Sequence, residues 1–225
     1  MVLADMSAPY SAVESLIYDR VIAPAVLAMG ERIAAELVDF VGEDAKVLDV
    51  GAGGGQLALE LAERRPRAAV TGLDLSPDQV SRASQRARDR GLGARATFVQ
   101  GSALDLPFES GRFDLVTSVA SIKHWPDQAQ GLAECVRVLA PGGRLMVFEA
   151  DRGCRLGDAR DFVRRWRLPS PLRGVALAAF RTWVAGQAID LDDARELLAG
   201  LPLEQTEAHR VPGTPALMLG GVKRR

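Results

Sequence analysis

Two cysteines, two histidines and no charge excess of either sign are the scarcities that first constrain this 225-residue chain. Cys135 and Cys154 alone cannot make a disulfide framework, so a reducing compartment is expected. Neither cysteine stands in a metal-ligand spacing. Cys135 falls inside the apolar-periodic stretch Leu132–Val136, which predicts a core thiol, and no metal is expected. With 28 basic against 29 acidic side chains the formal charge is −1. Such a chain has no general field to attract a phosphate backbone, and no nucleic-acid partner is expected. Met1 to Ser7 lack a basic region followed by an apolar core, and no apolar run reaches the roughly 18 residues that span a bilayer. A cytoplasmic location without a membrane span is the expectation.

What is present suffices for a sizeable core: 48% of the residues are hydrophobic, and the length suits one domain. From Glu43 onward short apolar runs alternate with helical patterns, the pattern of an α/β fold with a mostly parallel sheet and helices on both faces. The strands are expected at residues 46–50, 69–74, 96–100, 113–119 and 143–149, each mostly apolar because both faces are covered. Leu57 and Leu61 mark one helix. Ser76-Pro77-Asp78-Gln79 opens another with a capping-box arrangement, and a third starts near Asp127 and ends at Ala140-Pro141-Gly142-Gly143. Ahead of the first strand, Ile33, Leu37 and Phe40 share a helical face. Two final runs, 203–211 and 216–222, are joined by Pro212-Gly213-Thr214-Pro215 and predict an antiparallel pair, giving seven strands. The domain divides into an N-terminal helical cap (1–42), a core (43–150), an insertion (151–189) and a C-terminal helix with the strand pair (190–225).

The chemistry-bearing motif is Asp49-Val50-Gly51-Ala52-Gly53-Gly54-Gly55. A strand running into these glycines and then into a helix lets backbone N–H groups approach a ligand where a Cβ would block them. Asp74 ends the next strand, where a carboxylate accepts hydrogen bonds from both hydroxyls of a ribose. Gly53, Gly55 and Ala58 also satisfy a dinucleotide fingerprint, which keeps a nicotinamide oxidoreductase in view. Asp49 tells against it, because an anion at the end of the first strand would repel a pyrophosphate but can reach a cationic amino group.

These residues, with Gly72-Leu73-Asp74-Leu75-Ser76, Gly101-Ser102-Ala103-Leu104-Asp105-Leu106-Pro107-Phe108, Phe113-Asp114-Leu115-Val116 and Leu139-Ala140-Pro141-Gly142-Gly143, resemble in order the motifs of the class I S-adenosylmethionine-dependent methyltransferases. The resemblance implies a Rossmann-like sheet whose last strand is antiparallel, a helical lid after the fifth strand, S-adenosyl-L-methionine as cofactor and a small-molecule acceptor. It implies that Asp49, Gly51, Ala52, Gly53 and Gly55 face the methionine portion and that Asp74 binds ribose. Leu75 would pack on adenine, Ser102 and Ala103 would lie along the base edge, and Ser118 and Val119, at the end of the fourth strand, would also contact the cofactor. Ser102 stands where many relatives carry an acid, so a weaker or water-mediated contact to the adenine amino group is implied.

Ile122-Lys123-His124-Trp125-Pro126-Asp127 follows the fourth strand and resembles the Leu-His-His-x-x-Asp stretch of the ubiquinone and menaquinone biosynthesis methyltransferases, with Lys123 in place of the first histidine. His124 is the candidate base; the bland reading is a histidine bracing the helix that opens at Asp127. Lys123 is expected as a solvated cation unless buried. Ser118-Val119-Ala120-Ser121 occupies the place of the Asn-Pro-Pro-Tyr motif of base-amino methylases, which again speaks for a small acceptor. Between Asp151 and Arg181 eight arginines face three acids, interleaved with Trp166 and Trp183. Arg164, Arg165 and Trp166, with Tyr10, Tyr18 and Lys123, are the candidate acceptor contacts; the bland reading is a solvated arginine face over core tryptophans. A cofactor-binding module without turnover is the alternative from another class. A monomer or homodimer is expected.

Overall fold

The computed structural model describes residue 21 and residues 23–225; Tyr10 and Tyr18 lie outside them. Seven strands form one sheet in the order β3-β2-β1-β4-β5-β7-β6. They are β1 Lys46–Val50, β2 Ala69–Asp74, β3 Ala96–Gln100, β4 Phe113–Val119, β5 Leu139–Ala150, β6 Leu203–Arg210 and β7 Ala216–Lys223. β1 to β5 are parallel, and β7 pairs antiparallel with both β5 and β6. The strand order reverses between β1 and β4, so the loops after these two strands flank the crevice in which ligands of such sheets bind.

The helices are α1 Ala23–Val38, α2 Gln56–Arg64, α3 Pro77–Asp89, α4 Gln128–Val138, α5 Leu156–Arg164, α6 Arg173–Ala179 and α7 Leu191–Ala199. Alternation along each strand sends Val47, Leu115 and Phe148 to one face, against Ile33 and Leu37 of α1 and Leu59 of α2. Leu48, Val116 and Leu145 go to the other face, against Leu132 and Val136 of α4 and Leu198 of α7. Cys135 is wholly buried there, and burial pushes its thiol up to about 12, which makes it unreactive. No helix among the described residues is long and apolar enough to cross a membrane.

Local chemistry sets the element ends. Ser76 Oγ accepts the Gln79 N–H at 3.4 Å and Pro77 fills the first helical position of α3. The reciprocal half of the expected capping box is absent, because the Ser76 N–H goes to Asp74 Oδ1 at 2.9 Å. Asp127 Oδ1 caps α4 through the Gln130 N–H. Two further expectations are corrected. β5 begins at Leu139 rather than Gly143, since Leu139 already pairs with Phe113 before a bulge. Phe40 is 47% exposed beneath the Arg144 guanidinium, and Val41 takes its place in the core. The Lys223 ammonium donates to the Arg137 and Leu139 carbonyls at 3.0 and 2.7 Å, satisfying acceptors at the end of α4.

Between β5 and α7 the insertion has its own small core. Phe162, Trp166 and Phe180 form an aromatic triangle with centroids 5.2 to 6.2 Å apart, and Ala25 and Met29 of α1 pack into the same cluster.

Candidate functional site

Beyond Val50 the chain turns through three left-handed glycines, with φ of +76° at Gly51, +52° at Gly53 and +80° at Gly55. Two of them are also in close contact with neighbouring elements. A Cβ on Gly51 would fall 2.0 Å from Ser121 Oγ, and one on Gly55 would fall 2.7 Å from the Phe98 ring. The turn is tied to β2, since Gly51 and Ala52 donate to the Leu73 carbonyl and Gly53 donates to Asp74 Oδ2 at 2.8 Å. Arg86 of α3 donates to the Gly54 carbonyl at 2.7 Å from the other side. Gly55 has no side chain with which to cap α2, so the first-turn N–H groups stay directed at the loop.

Two carboxylates frame this loop. Each Asp74 oxygen accepts one backbone N–H, which aims the group and leaves further lone pairs for ribose hydroxyls. Asp49 is 2% exposed, and burial, followed by the neighbouring Asp74, raises its carboxyl to about 7. Among the described residues no cation pairs with it and no hydrogen bond reaches it. Thr117, its partner in the β1–β4 register, is wholly buried with an unpaired hydroxyl among the described residues.

The loop of residues 101–108 is held from below. Leu106 donates its N–H to Glu134 at 2.8 Å, and Arg137 donates to the Leu106 and Phe108 carbonyls while pairing with Glu134 at 2.7 Å. Ser102 Oγ accepts the Leu104 N–H at 3.1 Å, which shapes the loop and leaves the hydroxyl proton to donate. Ala103 is half-buried, and Leu75, just past Asp74, is 72% exposed. The structure therefore brings Asp49, Gly51, Ala52, Gly53, Gly55 and Asp74 into one cradle, with Leu75, Ser102 and Ala103 following at the ends of β2 and β3. Val119 is half-buried at the end of β4. Ser118 differs: it is wholly buried beside Val147 with its hydroxyl unpaired, and it presents no surface to a ligand.

The turn after β4 holds the second half of the site. Ser121 Oγ accepts the Trp125 indole N–H at 3.1 Å and packs on Gly51. His124 ends a short 3-10 turn with an exposed side chain. Partial desolvation and then the adjacent Lys123 cation hold its imidazole below the ordinary histidine value, with Glu149 acting in the opposite sense. Lys123 is not the solvated cation expected of it. Its side chain is 9% exposed, and its ammonium lies 3.5 Å from Oε1 of the wholly buried Glu149.

Arg164 and Arg165 point to solvent, the former 3.0 Å from Asp161. Trp166 is 8% exposed in the aromatic triangle, so it packs rather than lines an open pocket, whereas Trp183 is 49% exposed. Ser121 and Glu149 went unnoticed in the sequence. Glu149 carries the signal that singled out Asp49 and Asp74, an acid closing an apolar parallel strand.

The cradle fits S-adenosylmethionine: a buried carboxylate that no cation meets among the described residues, the uncapped first-turn N–H groups of α2 and a carboxylate aimed past the end of β2 match its ammonium, its carboxylate and its ribose. Residues 48–147 match the family model described as a methyltransferase domain. The chain is 45% identical over 114 residues to the demethylmenaquinone methyltransferase of Thermus thermophilus, covering 50% of this chain and 51% of that protein. It is 45% identical over 102 residues to the chloroplastic tocopherol O-methyltransferase of Arabidopsis thaliana, covering 45% of this chain and 29% of that one. The chain thus spans about half the length, or less, of these curated relatives. A solved Methanococcus maripaludis chain assigned to the S-adenosyl-L-methionine-dependent methyltransferases superposes with a TM-score of 0.69 over 98% of both chains at 20% identity, a likeness of fold. Sequence match, strand order and glycine cradle agree on residues 48–147, which are similar to a methyltransferase domain.

Proposed function

We propose that the chain is an enzyme that methylates a small-molecule acceptor. The observation that carries this reading is the closed glycine loop, with Asp74 tied to the Gly53 N–H on one side and, on the other, the buried Asp49, unpaired among the described residues. Asp49 and the glycines hold the methionine portion of the cofactor, Asp74 the ribose, and Leu75, Ser102 and Ala103 the adenine. When bound, S-adenosylmethionine supplies a methyl group already activated on a cationic sulfur, so an acceptor lone pair displaces a neutral thioether and only the acceptor's own proton remains to be moved.

The protein's task is then alignment and proton removal. His124 stands at the crevice with an exposed ring held largely neutral at pH 7, and it takes that proton, becoming imidazolium. Lys123 holds the turn that carries it. The relatives named for demethylmenaquinone and for tocopherol support a small hydroxylated or ring-carbon acceptor. A nicotinamide reading fits less well, since Asp49 would oppose a pyrophosphate.

Thermal unfolding with and without S-adenosylhomocysteine or NAD tests the cofactor. A ligand that binds only the folded state raises its stability, so S-adenosylhomocysteine is expected to raise Tm and NAD to leave it unchanged. Transfer of label from methyl-labelled cofactor into a metabolite extract tests turnover. Absence of labelled product in every extract would leave a binding module in its place.

A further inference from the structure

The turn after β4 is held more firmly than a surface loop requires. Ala120 sits at φ +54°, a conformation rarely taken by a residue with a Cβ, and its N–H is fixed by the Phe148 carbonyl at 2.8 Å. Lys123 gives its backbone N–H to Glu149 Oε2 at 3.2 Å while its ammonium lies 3.5 Å from Oε1, and Oε1 also accepts the Ala150 N–H at 2.8 Å. The Glu149 side chain is wholly buried. Removing two charges from water is costly, and an apolar pair of similar volume often gives equal or greater stability. Backbone strain beside a buried ion pair, in the turn that packs on the glycine loop, is therefore a sign of function.

We propose that Glu149, acting through Lys123, is a positioning residue for His124, fixing the turn that presents the imidazole and balancing the charge beside it. This rests on reading His124 as the base. Lys123, on the same turn, and Glu149, from β5, are the two charged side chains that bear on the ring among the described residues, and they act in opposite senses. A lone cation there would leave the ring neutral but a poor proton acceptor. A lone carboxylate would leave it protonated and unable to act. With the pair intact, the carboxylate offsets part of the lowering that desolvation and the lysine impose on the ring.

Two histidines make the test direct, since His124 and His209 give separate imidazole signals that a His124→Asn variant assigns. Glu149→Gln is expected to move the His124 NMR titration midpoint to lower pH, and Lys123→Met to move it to higher pH. S-adenosylhomocysteine should bind both variants within about threefold of the parent. A merely loosened turn would carry both midpoints upward toward a free histidine, and that result, or no shift in either variant, overturns the proposal. Should Glu149→Gln not fold, Glu149→Leu combined with Lys123→Met removes the uncompensated charge. Its midpoint should then lie between the parent's and that of Lys123→Met, and a midpoint at or below the parent's overturns the charge balance. Full methyl transfer by His124→Asn would instead remove the base reading, and the opposed midpoint shifts would still report the clamp.

Discussion

The two halves of the carboxyl edge are built on different principles. Around β1 and β2 the chain uses main-chain geometry: left-handed glycines, N–H groups tied to Leu73 and Asp74, and a helix without a capping side chain. Around β4 and β5 it uses side chains: a buried lysine–glutamate pair, an indole on Ser121 and a residue strained at Ala120. A cofactor whose recognition is shared by many proteins can be met by backbone groups, which every sequence possesses. An acceptor particular to one enzyme has to be met by side chains, which can be exchanged singly. The halves should therefore fail differently when altered.

The largest effect is expected on the main-chain side. Gly55→Val places a β-branched residue at φ +80° with its Cβ 2.7 Å from Phe98 and 2.9 Å from Ala83. It should cost about 3 kcal/mol or more in urea unfolding and abolish S-adenosylhomocysteine binding in calorimetry. A variant that binds normally would show that the loop is not the cofactor's cradle. Next comes Asp74→Ala, which strips the carboxylate proposed to accept from ribose and also orphans the Gly53 and Ser76 N–H groups. An affinity loss of about a hundredfold is expected, the worth of charge-assisted hydrogen bonds.

Asp49 gives a smaller effect with a distinctive pH dependence. Its carboxyl ionises near 3.8 in an unstructured chain and near 7 in the folded one, so the folded protein holds the proton more tightly between those values. Its contribution to stability is complete below pH 3.8 and is lost as pH rises through about 7. At pH 8 the buried anion is thus a liability that a cationic ligand offsets. Asp49→Asn should stabilise the ligand-free protein more at pH 8 than at pH 5, by on the order of 1–3 kcal/mol, the gain fading further as pH falls toward 3.8. In the parent, S-adenosylhomocysteine should bind about tenfold more tightly at pH 8 than at pH 6, with proton release visible in buffers of different ionisation enthalpy. Affinity that is flat across that range would mean Asp49 does not meet the ammonium.

The same contrast explains what was legible in the sequence. β1 to β4 fall where their apolar runs place them, and the cradle could be read because glycines and strand-ending acids are local signals. β5 begins four residues early because Leu139 finds Phe113, a pairing no local pattern carries. Lys123 looked solvated for a similar reason, since its partner is 26 residues away on the neighbouring strand and only the register brings them together. Phe40 and Val41 show the limit of periodicity at a helix end: α1 stops at Val38, after which the helical spacing no longer decides which side chain faces the sheet. In the insertion, composition suggested both a lid and a solvated face, and burial separates its members: Trp166 packs inward while Arg164 and Arg165 face water.

That separation leads to the smallest expected effect. Replacing Arg164 and Arg165 together by glutamine removes one exposed ion pair, Arg164 to Asp161 at 3.0 Å, and leaves the aromatic triangle beneath untouched. Exposed pairs of this kind contribute little after side-chain entropy and screening, so stability should change by less than about 0.5 kcal/mol in urea unfolding. Cofactor affinity should be unchanged, because neither arginine belongs to the cradle. Glutamine keeps the helix-forming stem that covers α5, so lost packing cannot be mistaken for lost charge. A tenfold loss of S-adenosylhomocysteine affinity in this double variant would mean that the insertion acts on the cofactor edge. The division between a backbone-built cofactor half and a side-chain-built acceptor half would then have to be drawn elsewhere.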